Sequence, residues 1–332
     1  MHELAKTAAR VILHRMGGLA ILRGLHRRKF RVLMLHSFSD QDETNLEAIC
    51  THIVRYFTPV SLSAILDALD GVRSLPDDAI TVTVDDGYRN FLLHGHPILR
   101  RYRIPTTLYG VGGFHDGQLW LWPDQIEFGL QHSKRSSIGM PLENGKPLDF
   151  ALRTPAEKAE AIARLTERLK EVSNDRRVAF LAEFSKLCGV EIPSDPPAGR
   201  EAMSWDELRA VASEGVEIGC HTETHPILSR LTDRTELERE IRGAKEHFEK
   251  RLGFAVRHFC YPNGRPIDIG ETAIRCVKEA GFASAVCCTW GLNTAGVDPF
   301  QIQRIPFASN IKLRYGQELL VGLHMGGSGQ LK

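Results

Sequence analysis

A chain of 332 residues with a formal net charge of +1, 42% hydrophobic and 25% charged residues, has the make-up of one large folded α/β domain or two smaller ones. That balance gives no global argument for nucleic acid as a partner, and no segment reads as a transmembrane span or a secretory signal core. The seven cysteines form no C-x-x-C pair, which argues against a cysteine zinc site or a disulfide framework and for a reducing compartment.

The chain opens on a basic stretch, residues 1–30, in which Lys6, Arg10, Arg15, Arg23, Arg27, Arg28 and Lys29 face a single acid, Glu3. It reads as a helical extension, either packed on the domain or resting on anionic lipid. Arg31–Leu35 reads as a first strand ending at His36, and Leu46–Tyr56 as a helix. Thr58–Val60 is a brief extended piece before the helix Leu62–Leu69. Ile80, Val82 and Val84 alternate with threonines in a strand that ends at Asp85-Asp86-Gly87. A helix over 90–102 and a strand over 106–111 continue the alternation.

From residue 115 to 153 the pattern loosens around Trp120, Trp122, Ile126 and Phe128, and the stretch reads as an insertion, extending to about residue 200, beside a site. The two tryptophans are either core or faces on which a ligand stacks. Thr154-Pro155-Ala156-Glu157 and Ser204-Trp205-Asp206-Glu207 carry capping-box spacing and open helices. A short strand at 216–219 delivers His221-x-x-x-His225, and Leu237, Ile241, Ala244, Phe248 and Leu252 give the next helix one apolar face. Strands over 256–261, 283–287 and 303–305, with a helix over 272–280, complete roughly seven or eight strand–helix units. Such alternation favours a closed parallel barrel over residues 31–310, with 311–332 as a C-terminal tail.

Two adjacent aspartates at the tip of an apolar strand repel each other, so either both are solvated turn residues or something compensates them. His221 and His225 are either hydrogen-bonding loop histidines or a pair that converges on one cation, provided the loop begins a helical turn. Glu223 is one place too late for the general base of the H-E-x-x-H motif. With Asp86 the two histidines make a three-ligand set with an open position, the layout of a hydrolytic metal site, and Asp85 is left to take a proton from water.

Thr83-Val84-Asp85-Asp86-Gly87-Tyr88, His221-Thr222-Glu223-Thr224-His225-Pro226 and Phe259-Cys260-Tyr261-Pro262-Asn263-Gly264 resemble, in order, the first three motifs of the polysaccharide deacetylase family. This is the NodB-homology domain, or carbohydrate esterase family 4. The resemblance runs from about Val32 to Phe307 and includes His36 after the first strand. It implies a distorted (β/α)7 barrel, TIM-like, and metal-dependent removal of acetyl groups from an N-acetylated polysaccharide, oligosaccharide or lipid-linked glycan. It also implies Asp85 as base, and Asp86, His221 and His225 as ligands of a divalent metal, usually zinc. Tyr261, Pro262 and Asn263 would line the site, with a backbone N–H for the oxyanion.

The chain departs from that pattern at two places. Cys260 stands where many relatives carry an arginine that braces the catalytic aspartate, and Asn263 where many carry tyrosine. Arg304 is the residue that could substitute for the brace. The late histidine that acts as general acid in relatives has one counterpart, His324, while His36 is the other candidate for a polar group at the leaving nitrogen. The altered third motif leaves two alternatives open: a catalytically weak carbohydrate-binding protein on the same barrel, or an amidohydrolase on a non-sugar amide. The expected location is cytoplasmic, with possible membrane association through the basic N-terminus.

Overall fold

The computed structural model describes residues 14, 16–140 and 148–323. Its strands are β1 (Arg31–Leu35), β2 (Thr58–Pro59), β3 (Ala79–Val84), β4 (Thr106–Gly110), β5 (Ser137–Met140), β6 (Leu148–Ala151), β7 (Glu217–Cys220), β8 (His258–Cys260), β9 (Ser284–Trp290) and β10 (Ile302–Pro306). Following the hydrogen bonds from β1 through β3, β4, β7, β8, β9 and β10 leads back to β1, which pairs with both β3 and β10. Every pairing in this ring is parallel, so the sheet is a closed seven-stranded barrel surrounded by helices. The short β2 adds only two residues, against the start of β3.

Closure explains the composition of β3. All six of its residues are buried, because one face fills the barrel and the other meets helices. The main core runs through Leu33, Val82, Leu108, Ile218, Phe259 and Ile305 and out to the helix residues Ile49, Leu208, Ile241 and Phe248. Both capping boxes form as the spacing predicts, with Thr154 and Ser204 each accepting from the backbone of the glutamate three residues on.

The insertion is more ordered than the loosened pattern suggests. It contains helices Trp122–His132, Pro155–Glu171 and Asn174–Cys188 and the antiparallel pair β5–β6. These elements enclose a second apolar cluster that includes Ile126, Leu130, Phe150, Leu165, Leu169, Phe180 and Phe184. Trp120 and Trp122 are both buried, which settles them as packing residues.

The expected tail at 311–332 is corrected in part. Leu313–Leu320 is a helix, and its Leu319 and Leu320 are buried in the barrel core, too apolar for a solvated segment. Buried Arg31 ties it to β1 by donating from Nε to the Leu320 carbonyl, 2.8 Å away. At the chain start, helix Gly18–Leu25 has no buried residue, and the basic positions before residue 14 lie outside the described residues. Among the described residues no helix is long and apolar enough to cross a membrane.

Candidate metal-dependent active site

The strand-end motifs meet at one mouth of the barrel. The turn after β3 begins at Asp86, which has φ +74°, followed by Gly87 at +81°. Aspartate tolerates this left-handed backbone better than most side chains, and the reversal brings consecutive carboxylates into one pocket. Gly87 is obligatory for a further reason: a Cβ there would lie 2.5 Å from the His115 ring.

Asp85, 2% exposed, is bound by Arg304 of β10. Arg304 Nη1 donates to Oδ1 at 2.7 Å and Nη2 to Oδ2 at 2.8 Å, a bidentate pair. The remaining guanidinium donors reach the Cys287 carbonyl at 3.0 Å, Thr83 Oγ1 at 3.1 Å and Cys260 Sγ at 3.3 Å. All the N–H groups of a fully buried arginine therefore have partners. Burial alone would raise the Asp85 pKa, but the Arg304 charge and hydrogen bonds outweigh it and hold the carboxyl well below the usual range. The small Cys260 leaves room for the guanidinium that arrives from β10 rather than β8.

Asp86 faces the histidines. Its Oδ1 lies 3.5 Å from His221 Nε2 and 3.6 Å from His225 Nε2, and the three donor atoms all lie within 4.8 Å of one another. His221 Nδ1 sits 2.8 Å from the Cys260 carbonyl, so that nitrogen carries the proton and Nε2 presents its lone pair. Burial pushes His221 down to about 4 and His225 well below its ordinary value, keeping both neutral. For Asp86, burial, then Asp85, then Asp124, push the pKa well upward. Two neutral imidazoles and a carboxylate that lacks a compensating charge fit a divalent cation with nitrogen and oxygen ligands. Asp85, His221 and Cys260 also cluster, but there Arg304 neutralises Asp85 and burial keeps Cys260 a thiol rather than a thiolate ligand.

The histidine loop does not form a helical turn. Thr222 and His225 instead adopt left-handed backbone, φ +70° and +57°, and this folds the two rings to a centroid separation of 4.9 Å. The loop is held on both sides. Its carbonyls at Thr222 and Glu223 accept from Gly112 and Gly113 N–H. Its N–H groups at Glu223 and Thr224 donate to Glu240, a residue the sequence reading passes over. The available signal is an acid inside an apolar helix face, between Leu237 and Ile241.

The other expected site residues divide. His36 is at the mouth, its half-exposed ring placing Nε2 3.7 Å from Asp85 Oδ2. Tyr261 is fully buried in the barrel core, with its N–H engaged by Val286 and its hydroxyl donating to the Phe300 carbonyl. Tyr261 therefore supplies no free backbone donor, and Pro262 has no N–H to give. Asn263 is held at φ +57°, and its Nδ2 is a buried donor with no partner among the described residues. His324 lies outside the described residues. The insertion contributes Lys170 and Arg177, whose charges help lower the pKa of His36 and His225 after the larger effect of burial.

Comparison with known proteins supports the same family. The family model described as polysaccharide deacetylase matches residues 188–285, which include both histidines, Glu240 and the 260–264 turn. The poly-beta-1,6-N-acetyl-D-glucosamine N-deacetylase of Escherichia coli (strain K12) is 34% identical over 73 residues, 22% of this chain. That match spans only 10% of the relative's own length. Among solved structures, the deacetylase PplD of Streptococcus pyogenes in complex with acetate superposes with a TM-score of 0.55 at 14% identity, covering 88% of this chain and 98% of that one. IcaB from Ammonifex degensii gives 0.55 at 16% identity, covering 89% and 97%, and the BpsB deacetylase domain from Bordetella bronchiseptica 0.54 at 18%, covering 85% and 96%. At these identities the structural likeness speaks for the barrel. With the family match, it bears out the resemblance seen in the motifs.

Proposed function

We propose, from this resemblance to polysaccharide deacetylases, that the protein is a metal-dependent carbohydrate N-deacetylase that hydrolyses the acetamide of an N-acetylated sugar. The observation that carries the reading is the meeting of Asp86, His221 and His225 beside an arginine-held Asp85. A divalent cation, zinc by the chemistry of the donor set, would be held by Asp86, His221 and His225 and would supply Lewis acidity toward the acetyl carbonyl and a water.

The chain's own residues account for the remaining steps. Asp85 is kept ionised by Arg304 and accepts the proton of the attacking water at a carboxylate oxygen. Arg304 fixes the plane of that carboxylate without itself touching substrate. The unpartnered Asn263 Nδ2 is the donor available to the developing oxyanion on this turn. His36, beside Asp85, is the candidate among the described residues for the polar group at the leaving nitrogen, and His324 lies outside them.

The test is release of free acetate from N-acetylglucosamine oligomers and from lipid-linked acetylated sugars by zinc-loaded protein. Turnover that disappears on chelation and returns with metal supports the reading. Retained metal with no acetate from either substrate class overturns it and favours a binding protein on the same barrel.

A further inference from the structure

Glu240 is 1% exposed, on the helix that follows the histidine loop, within the π-helical turn Arg239–Gly243. A π-turn carries one more residue per turn than the α-helix around it and re-aims side chains locally. Here a carboxylate points inward beside Leu237 and Ile241, both buried. Its Oε2 accepts from Glu223 N–H at 3.0 Å and from Thr224 N–H at 2.9 Å, and its Oε1 from the Thr224 hydroxyl at 2.8 Å.

These bonds span the segment between the two histidines. That segment is strained: Thr222 is β-branched at φ +70°, and His225 sits at +57°. A backbone in such a conformation persists only when its surroundings impose it. The bond from His225 N–H to Thr222 Oγ1, at 3.0 Å, closes the turn from within. From outside, Glu240 is the side chain that holds the loop's amides, and Glu223 is held by His247 at 3.1 Å.

We propose that Glu240 is a positioning residue for the cation: it holds the 222–225 turn in the one shape that lets His221 and His225 converge on Asp86, and so sets metal affinity. This rests on the reading of those three residues as the cation site. A turn released from Glu240 samples shapes in which the imidazoles diverge, and apparent affinity falls by the fraction of time they do. Loss of a partner that orients ligands commonly weakens metal binding by about 10–100-fold.

The experiment compares wild type with Glu240→Gln and Thr224→Val. Gln offers one acceptor oxygen where Glu offers two, and Val removes only the hydroxyl bond. Zinc affinity is measured by competition with a chromophoric chelator well below the melting temperature, and backbone amide exchange is followed at residues 222–225 in metal-free protein. The expected result is zinc binding at least about 10-fold weaker in Glu240→Gln, a smaller loss in Thr224→Val, and faster exchange confined to the loop. A global structural role would instead lower the melting temperature and speed exchange throughout while leaving zinc affinity intact, which overturns the proposal. Should Glu240→Gln fail to fold, Thr224→Val decides, and unchanged affinity there overturns it. A wild-type protein that binds no zinc, cobalt or manganese refutes the metal site itself, and the proposal falls with it.

Discussion

Replacing Arg304 by methionine keeps the length and burial of the side chain and deletes its charge. The substitution removes both hydrogen bonds to Asp85 and those to Thr83, Cys260 and the Cys287 carbonyl. Asp85 is then a carboxylate 2% exposed, with the His36 imidazole 3.7 Å away, whose own pKa burial lowers, in place of a guanidinium. Breaking a buried pair on one side costs about 3–5 kcal/mol, because an uncompensated charge is left behind. For a chain of this size the unfolding entropy is on the order of 0.7 kcal/mol per degree, so the melting temperature should fall by about 4–7 °C.

Turnover should fall further than stability, since Asp85 loses both its orientation and its reason to stay ionised. The discriminating variant is the double change Arg304→Met with Cys260→Arg. It returns a guanidinium to the same aspartate from β8, where many relatives carry one. Partial recovery of melting temperature and kcat/KM is expected, relative to Arg304→Met alone. Thermal unfolding and acetate release measure both quantities. If Arg304→Met melts and turns over like the wild type, the pair contributes neither stability nor function and the account of this site is wrong.

Asp85→Asn should retain bound zinc and lose turnover by about 10²–10⁴-fold, the range for removal of a general base; full activity in that variant refutes its role. His221→Ala should abolish stoichiometric zinc binding, read by elemental analysis, while the fold persists by circular dichroism. His115, whose ring packs against Gly87 beside Asp86, predicts a pH effect of its own. Its Nδ1 donates to the Met203 carbonyl at 2.7 Å, its Nε2 is buried without a partner among the described residues, and burial pushes its pKa down to about 4. Below the unfolded value of about 6.5 the unfolded chain takes up a proton that the folded one refuses. Stability therefore falls as pH drops from 6.5 to 4, by about 3 kcal/mol from this group, and levels off below. Urea titrations of metal-free His115→Gln should show a shallower decline over that window, and an identical decline would remove His115 as a cause.

The barrel was legible because most of its strands are short and alternate with helices, several of which carry their own start signal at Ser61, Ser204 or Asp233. Asp85, Asp86, His221 and His225 were legible because each pair is contiguous, or nearly so, at a strand end. Arg304 could be named but not placed, since its partner is 219 residues away and depends on how β10 enters the ring. Glu240 is not legible because the five apolar positions of its helix define a core face, and an acid within that face has no sequence-local partner that marks it. The helix Asn174–Cys188 went unread although Phe180, Phe184 and Cys188 recur every fourth residue between a Ser173 cap and a left-handed Gly189. Its apolar residues do not gather on one face: Val178 is exposed while Phe180 and Phe184 are buried, so the helical period is blurred. Tyr261 illustrates the opposite error, since a motif position suggests a role at the mouth while the chain direction sends the ring into the core.

The separate apolar cluster of the insertion has an evolutionary corollary. Because its packing is closed on itself, substitutions there are absorbed locally and should add independently to changes in the barrel. The segment can thus drift in sequence and reshape one wall of the mouth while the ring of strands keeps the reacting groups in register. Selection for a new substrate would find its raw material in that wall, and leave the carboxylates and imidazoles as they are.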